Sequence, residues 1–353
     1  MKIAICKGGT NITFSTGNRS AANADIKYAI NQISPREMDI TIVTAHTRNT
    51  YFPSILKSCE INKVDFNEFD LVLLFNFSIN FFGGKEDPNL LNLYRKLAKT
   101  KTKIAYVQTD GQLPFKQLWP SIYKREWAKP YKEEEFFIDP NRVIYITQGR
   151  DLYKVRKELG KKFDNIRPYD IYHYPWAQTI LATGFGEFKY DYKSFDKRPY
   201  DLIFGGATRN AHKRKKIEHF YTNPRHTNFL FGNLRGVNAT INKAVSYQQF
   251  ISTMTKGKAT VIVGDLHYEN NYITLRMYES ILAGCLMYID RDLDHGHFYK
   301  GQFPELHIAN SDEILPFDNT TQELCTESRA YILNSYNELH SRKEIHDILR
   351  TCQ

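Results

Sequence analysis

The feature that most constrains this chain is a recurrence of short apolar runs, each followed by a segment with helical spacing, through two successive halves of the sequence. In the first half strands are expected at residues 2–6, 40–44, 71–76, 104–108 and 143–147; in the second, at 201–204, 228–231, 260–263, 286–290 and 306–309. Unbroken apolar runs alternating with helices point to parallel sheets covered on both faces. The expected fold class is therefore α/β, with two doubly wound domains facing a cleft. A chain of 353 residues lets each half bury its own core. A connector at Tyr174, Pro175 and Trp176 sets the expected boundary, giving an N-terminal domain at 1–176 and a C-terminal domain at 177–339. A C-terminal helix at 340–353 is expected to complete the first domain. Ligands of such sheets lie beyond the carboxyl ends of the strands.

Two segments at those ends carry suggestive chemistry. In VIVGDLHYENNYITLRMYESILAG, residues 261–284, a strand leads through a polar loop to a helix with Thr274 as its cap, Leu275, Tyr278, Ile281 and Leu282 as its apolar positions and Gly284 as its stop. Arg276 and Glu279 then share one face. There an arginine can fork onto phosphate oxygens while a carboxylate accepts both hydroxyls of a ribose. An ordinary surface ion pair is the plainer reading of the same two residues. In DLIFGGATRNAHKRKKIEHFY, residues 201–221, Gly205 and Gly206 let the backbone approach a ligand, and the helix that follows opens with His212, Lys213, Arg214, Lys215 and Lys216. Cations in a first turn oppose the helix dipole by about 0.3–1 kcal/mol each, so this basic start suggests a seated anion. Arg209 with Lys213 or Arg214 would complete a phosphate clamp; a solvated basic face is the alternative. Neither segment has P-loop spacing, and Gly8 and Gly9 after the first strand do not make a dinucleotide fingerprint.

Five scattered cysteines without metal-ligand spacing fit reduced thiols in a cytosol. The start, MKIAI, runs directly into a strand, and no apolar run is long enough for a membrane span, so a soluble cytosolic protein with no membrane partner is expected. A formal net charge of +9 favours a polyanionic partner. The best surface for one lies at residues 109–132, where Phe115, Trp119, Tyr123 and Trp127 are interleaved with Lys116, Lys124 and Arg125. Cations can hold phosphates while rings stack on bases or fill a gap in a duplex; a proline-anchored loop with locally packed tryptophans is the alternative. Within it Asp110 directly follows a strand, where a general base facing the cleft is expected, although aspartate also caps turns. The run DRDLDHGH at 290–297 contains the pair Asp290 and Asp292 but is read as a loop, not as a metal site.

Four stretches together resemble the DNA β-glucosyltransferases of T-even bacteriophages, which modify 5-hydroxymethylcytosine: SINFFGGK at 78–85, TDGQLPF with the tryptophan loop at 109–127, DLIFGGATR at 201–209, and VGDLHYENNYITLRMYE at 263–279. They occur in the family's order and nearly at its spacing. The resemblance implies a GT-B fold of two Rossmann-like domains, a UDP-sugar donor, inversion at the anomeric carbon, and a target base flipped out of duplex DNA. By the same resemblance Asp110 is the catalytic base, Arg209 and Arg276 neutralise the diphosphate beside the backbone of Gly206 and Ala207, and Lys213 stands where the family has a further arginine. Glu279 takes the ribose, Val245 and Tyr247 hold the uracil, and Asp265 lies near the sugar and diphosphate. Arg214, Gly8 and Gly9 are additional donor-side candidates. Phe115, Lys116, Trp119, Tyr123, Lys124, Arg125 and Trp127 are the expected DNA contacts. A divalent cation, magnesium or manganese, is expected to assist without a protein cage of its own.

One departure bears on the sugar. Where the family has a glutamate that contacts the donor sugar, this chain has Asn23 or Ala24, with Asp25 the nearest acid. Asn23 and Asp25 are therefore the sugar-contact candidates. Glucose is expected first, and a pentose such as arabinose is the alternative, because an unpaired buried hydroxyl would penalise the original ligand. A catalytically idle binder of modified DNA and a transferase acting on a protein or small molecule are the remaining readings. A monomer working in the cytoplasm of an infected bacterium is expected.

Overall fold

The structure is a computed structural model, and it describes residues 1–7, 38–44, 57–75, 88–108, 129–136, 138–147, 171–173, 193–208, 210–245, 247–264, 275–294, 298–299, 301–335 and 338–351. The chain forms two compact units: Met1–Trp176 together with Leu339–Gln353, and Ala177–Glu338.

In the first unit seven strands pair in parallel: β1 (Lys2–Lys7), β2 (Asp39–Thr44), β3 (Lys57–Glu60), β4 (Leu71–Phe75), β5 (Lys103–Gln108), β6 (Val143–Thr147) and β7 (Ile171–His173). Their order across the sheet is β3-β2-β1-β4-β5-β6-β7. Ile3, Ala4, Ile5 and Cys6 of β1 are fully buried, so neighbouring residues that point to opposite faces are both covered. Helix α1 (Pro88–Lys99) opens on a proline, whose missing N–H would have no partner in a first turn. It sets Leu93, Tyr94 and Leu97 into a core shared with Val72, Leu74, Ile104 and Tyr106.

In the second unit six parallel strands follow: β8 (Tyr200–Ala207), β9 (Asn228–Asn233), β10 (Ile241–Asn242), β11 (Gly257–Ile262), β12 (Leu286–Asp290) and β13 (His307–Ile308). Their order is β10-β9-β8-β11-β12-β13. Helices α2 (Ala211–Tyr221), α3 (Tyr247–Met254), α4 (Leu275–Leu282), α5 (Arg291–Asp294) and α6 (Asn319–Ser335) connect or cover them, and α7 (Glu338–Thr351) closes the chain. Both sheets reverse direction of growth once, between β1 and β4 in the first and between β8 and β11 in the second. These are the switch points at which open α/β sheets bind ligands.

All ten expected strands are present, with shifted ends. β8 runs on through Gly205, Gly206 and Ala207, and β11 starts at Gly257, ahead of the apolar run that marks it. Gly257 has a packing reason, since a Cβ there would stand 2.2 Å from Ile203 Cγ2 on the neighbouring strand. Three strands went unforeseen: β3, β7 and β10, all at sheet edges. Asp290 ends β12 as expected, but in the DRDLDHGH run Arg291–Asp294 forms a helical turn where a loop was expected.

Buried thiols and phenols accumulate in both cores. Burial pushes the Cys285 thiol up to about 12 and the Cys325 thiol up to about 11, and it raises Cys6 further. Burial likewise lifts the phenols of Tyr94, Tyr145 and Tyr221, and that of Tyr288 to about 12. The unfolded chain releases these protons near the ordinary values of 9.0 and 10.0, while the folded chain retains them. Between those pH values and the raised ones the unfolded state binds fewer protons, so stability is full below about pH 9 and falls as pH rises. Urea midpoints measured across pH 7 to 11 should therefore decline from roughly pH 9 upward.

Candidate functional site

At the switch point of the second sheet the two central strands part. β8 and β11 are in register from Tyr200 with Gly257 to Leu202 with Ala259, whereas β8 and β9 stay paired as far as Ala207 with Asn233. The hydroxyl of Tyr221, at the end of α2, fills the gap. It accepts from Val261 N at 2.6 Å, and its oxygen lies 2.8 Å from Val261 O, within reach to donate. Thr260 Oγ1 is 3.2 Å away and Ile203 O is 3.4 Å away. One phenol thus satisfies the Val261 amide and carbonyl, which the neighbouring strand no longer reaches, where the sheet opens toward its carboxyl end.

Arg276 and Glu279 lie at this opening. They lie on α4, which Gly284 ends at φ 67 with backbone bonds from Gly284 N to Ile281 O and from Cys285 N to Ser280 O, as a Schellman cap requires. Burial of this helix is broader than an amphipathic stripe: Met277, Ser280 and Glu279 are covered as well as Tyr278 and Ile281. Glu279 is only 2% exposed. Its Oε2 is 2.7 Å from Arg276 Nη1, yet Nη1 is not aligned to donate, so the contact is an ion pair without a directed hydrogen bond. The guanidinium carbon lies over the Phe250 ring, 3.9 Å from the ring centroid. Its Nη2 is 3.8 Å from the point where a Cβ on Gly206 would stand. An arginine is thereby held over the end of β8 with hydrogen-bonding capacity in reserve for an anion.

The two glycines do different work. Gly206 is less crowded: a Cβ there would stand 3.3 Å from Phe204 Cε1 and 3.8 Å from Arg276 Nη2. At Gly205, by contrast, a Cβ would stand 2.2 Å from Phe231 Cζ and 2.5 Å from Phe250 Cε2, so that position makes room for aromatic rings. The aromatic crowding at Gly205 does not fit the ligand-approach role expected of that residue.

The basic first turn of α2 is also divided. Asn210 caps the helix by accepting from Lys213 N at 2.9 Å. Arg214 covers Gly236, its Nη1 being 2.9 Å from the Cβ position of that φ 76 glycine. Lys216 turns away and bridges Asp290 at 3.0 Å and Asp292 at 2.6 Å. Burial works to lower the Lys216 ammonium, but its bonds to Asp292 and Asp290 outweigh that and hold its pKa above the ordinary value. The aspartate pair that invites a metal reading is thus engaged by a lysine, and no group of three or more metal-ligating side chains occurs among the described residues. Val245 is half-buried against the core of this unit, two residues before Tyr247 opens α3.

Comparison with known proteins decides the lineage. The model of the family described as bacteriophage T4 beta-glucosyltransferase matches residues 1–178. The DNA beta-glucosyltransferase of Enterobacteria phage T4 is 31% identical over 347 residues, covering 92% of this chain and 92% of the relative. The chain belongs to the bacteriophage T4 β-glucosyltransferase family. Solved members of that family agree over the full length: a mutant of T4 phage BGT in complex with UDP-glucose and T4 phage BGT in complex with UDP and Mn²⁺ each superpose with a TM-score of 0.76 at 26% identity, covering 100% of this chain and 99% of theirs. The GT-B fold expected from the resemblance is the fold of this family member.

Of the family-type residues expected from sequence, the structure brings Gly206, Arg276 and Glu279 together at the switch point, with Lys213 and Arg214 on the first turn of the helix that follows β8. Asp110, Arg209, Asp265, Gly8, Gly9, Asn23, Asp25, Phe115, Lys116, Trp119, Tyr123, Lys124, Arg125 and Trp127 lie outside the described residues, as does the side chain of Tyr247. No helix among the described residues is long and apolar enough to cross a membrane. Sequence reasoning missed Tyr221 and Phe250, for an aromatic at helical spacing looks like any core residue.

Two measurements check this geometry. Tyr221→Phe strands the Val261 amide and carbonyl in a buried gap and should lower unfolding free energy by about 2–3 kcal/mol, read by urea denaturation. Lys216→Met leaves the covered Asp290 carboxylate without its cation and should cost about 3 kcal/mol, whereas Asp292→Asn, on the exposed side of the bridge, should cost less than about 1 kcal/mol.

Proposed function

We propose that this chain transfers glucose from UDP-glucose to the hydroxymethyl oxygen of 5-hydroxymethylcytosine in duplex DNA, with inversion at the anomeric carbon. The observation that carries the reading is Arg276, stacked on Phe250 above Gly206 at the β8/β11 switch point, with a buried carboxylate three residues further along the same helix. In this reading Arg276, with Arg209, meets the diphosphate, Glu279 takes the ribose hydroxyls, and Val245 and Tyr247 hold the uracil. The Asp110 carboxylate takes the proton from the hydroxymethyl group as its oxygen bonds to the anomeric carbon. The bond from that carbon to the diphosphate oxygen breaks, and UDP leaves with the electron pair. Charge gathering on the diphosphate is what the arginines stabilise. The residues at 109–127 carry the DNA contacts and the flipped base.

A divalent ion accompanies UDP in one solved relative. The described residues of this chain offer it no cage, since Asp290 and Asp292 are held by Lys216. The protein works as a monomer in the cytoplasm of an infected bacterium, where glycosylated DNA would resist restriction. A second reading keeps the reaction and changes the sugar: Asn23 or Ala24 stands where the family has a sugar-contacting glutamate, which favours a donor such as UDP-arabinose over one with a further hydroxyl to satisfy.

Mass spectrometry of hydroxymethylated duplex DNA after incubation with UDP-glucose or UDP-arabinose decides between them. A hexose increment is the expected outcome, a pentose increment would establish the second reading, and no increment with either would sink both. Asp110→Ala should reduce transfer by about 10²–10⁴-fold with UDP affinity unchanged, since the base acts on the acceptor. An idle DNA-binding protein would show no transfer to lose.

A further inference from the structure

Within the proposed donor site, one residue that touches no ligand in that scheme is built into the placement of Arg276. We infer that Phe250 is a positioning residue, whose ring face fixes the Arg276 guanidinium for diphosphate binding, and that Gly205 exists to admit that ring. The inference rests on the proposed function, in which Arg276 meets the diphosphate.

Three observations carry it. First, the guanidinium carbon lies 3.9 Å from the Phe250 centroid, the shortest cation–ring distance among the described residues, on a ring only 8% exposed. A guanidinium stacked on a desolvated ring is held more strongly than one on an exposed surface. Second, the edge of that guanidinium is underdetermined by its other neighbour: Nη1 sits 2.7 Å from Glu279 without an aligned hydrogen bond, so Glu279 supplies attraction but little direction. The plane of the ring supplies the direction. Third, Phe250 cannot move freely, because it packs on Phe231 at 5.1 Å between centroids and both rings occupy the space a side chain at position 205 would need. The sequence Gly205, Phe231, Phe250, Arg276 is thus one mechanical stack that ends beside Gly206. The geometry also explains the glycine at position 205 near the end of β8, which makes room for the two rings.

If Phe250 acts through Arg276, its removal matters only while Arg276 is present. The test is a double-mutant cycle on UDP binding, followed by calorimetry on the full-length protein, with Phe250→Leu, Arg276→Ala and the double variant. Phe250→Met, which also keeps an apolar side chain against Phe231 while removing the ring face, carries the same cycle should the leucine variant fail to fold. In the wild-type background loss of the ring should weaken UDP by about 2- to 30-fold, the range expected of a cation–π contact. In the Arg276→Ala background the same change should have no further effect, and Phe250→Tyr should restore wild-type affinity. Equal losses in both backgrounds would show that Phe250 is merely structural, and no loss in the wild-type background would show that it is dispensable; either overturns the inference. A wild-type protein that binds no UDP would overturn the functional reading itself, and that result is visible before any variant is made.

Discussion

The Tyr221 hydroxyl stands where a strand's backbone would otherwise be, and the second unit depends on that substitution. A parallel sheet can widen toward its carboxyl end only if the amides and carbonyls freed by the widening find other partners. Here the partner comes from the C-terminal residue of α2, the helix whose other end carries Lys213 and Arg214. The crevice at the switch point and the placement of the basic turn are therefore set by one helix, docked at one end through a phenol and along its length through the Lys216 bridge to Asp290 and Asp292.

Electrostatics at the site follows the same economy. Cations in the first turn of a helix are unfavourable by themselves, and the structure offsets that in part through named contacts. Asn210 takes one of the unpaired amides, and two aspartates from the end of β12 and the start of α5 absorb Lys216. Lys213 and Arg214 lie in the first turn of α2, the helix that follows β8. Arg276 is treated likewise: a buried carboxylate offsets its charge, an aromatic ring lies beneath its guanidinium carbon, and the carboxylate contact is not an aligned hydrogen bond. In the proposed reading, groups held in this way would not need to be ordered by the ligand.

The doubly wound plan was legible because parallel strands are covered on both faces, and runs such as Ile3 to Cys6 or Leu286 to Ile289 leave unbroken apolar text. β3, β7 and β10 left no such text, since an edge strand needs one ladder and tolerates polar residues such as Lys57, Ser58 and Asn242. Arg276, Glu279 and the basic turn could be found because charge placed against a helix dipole, or beside an apolar run, is conspicuous in sequence. Tyr221 and Phe250 could not be found, as their roles depend on where a hydroxyl and a ring face end up after folding. Gly205 was misread for the same reason: a glycine reports that space is needed and does not say whether a ligand or a neighbouring side chain takes it.

The phenol between β8 and β11 also has an evolutionary consequence. Most buried positions in a sheet protein can drift among apolar residues of similar volume, because the surrounding side chains repack. Position 221 lacks that freedom. A phenylalanine has the shape but not the oxygen, and serine or threonine has the oxygen but not the reach, so the usual neutral paths away from tyrosine are closed. The chain and the T4 enzyme differ at most positions, with 31% identity over 347 residues. Descent with modification at the heart of the second sheet must instead pass through coordinated change, in which strand pairing closes before the tyrosine is lost.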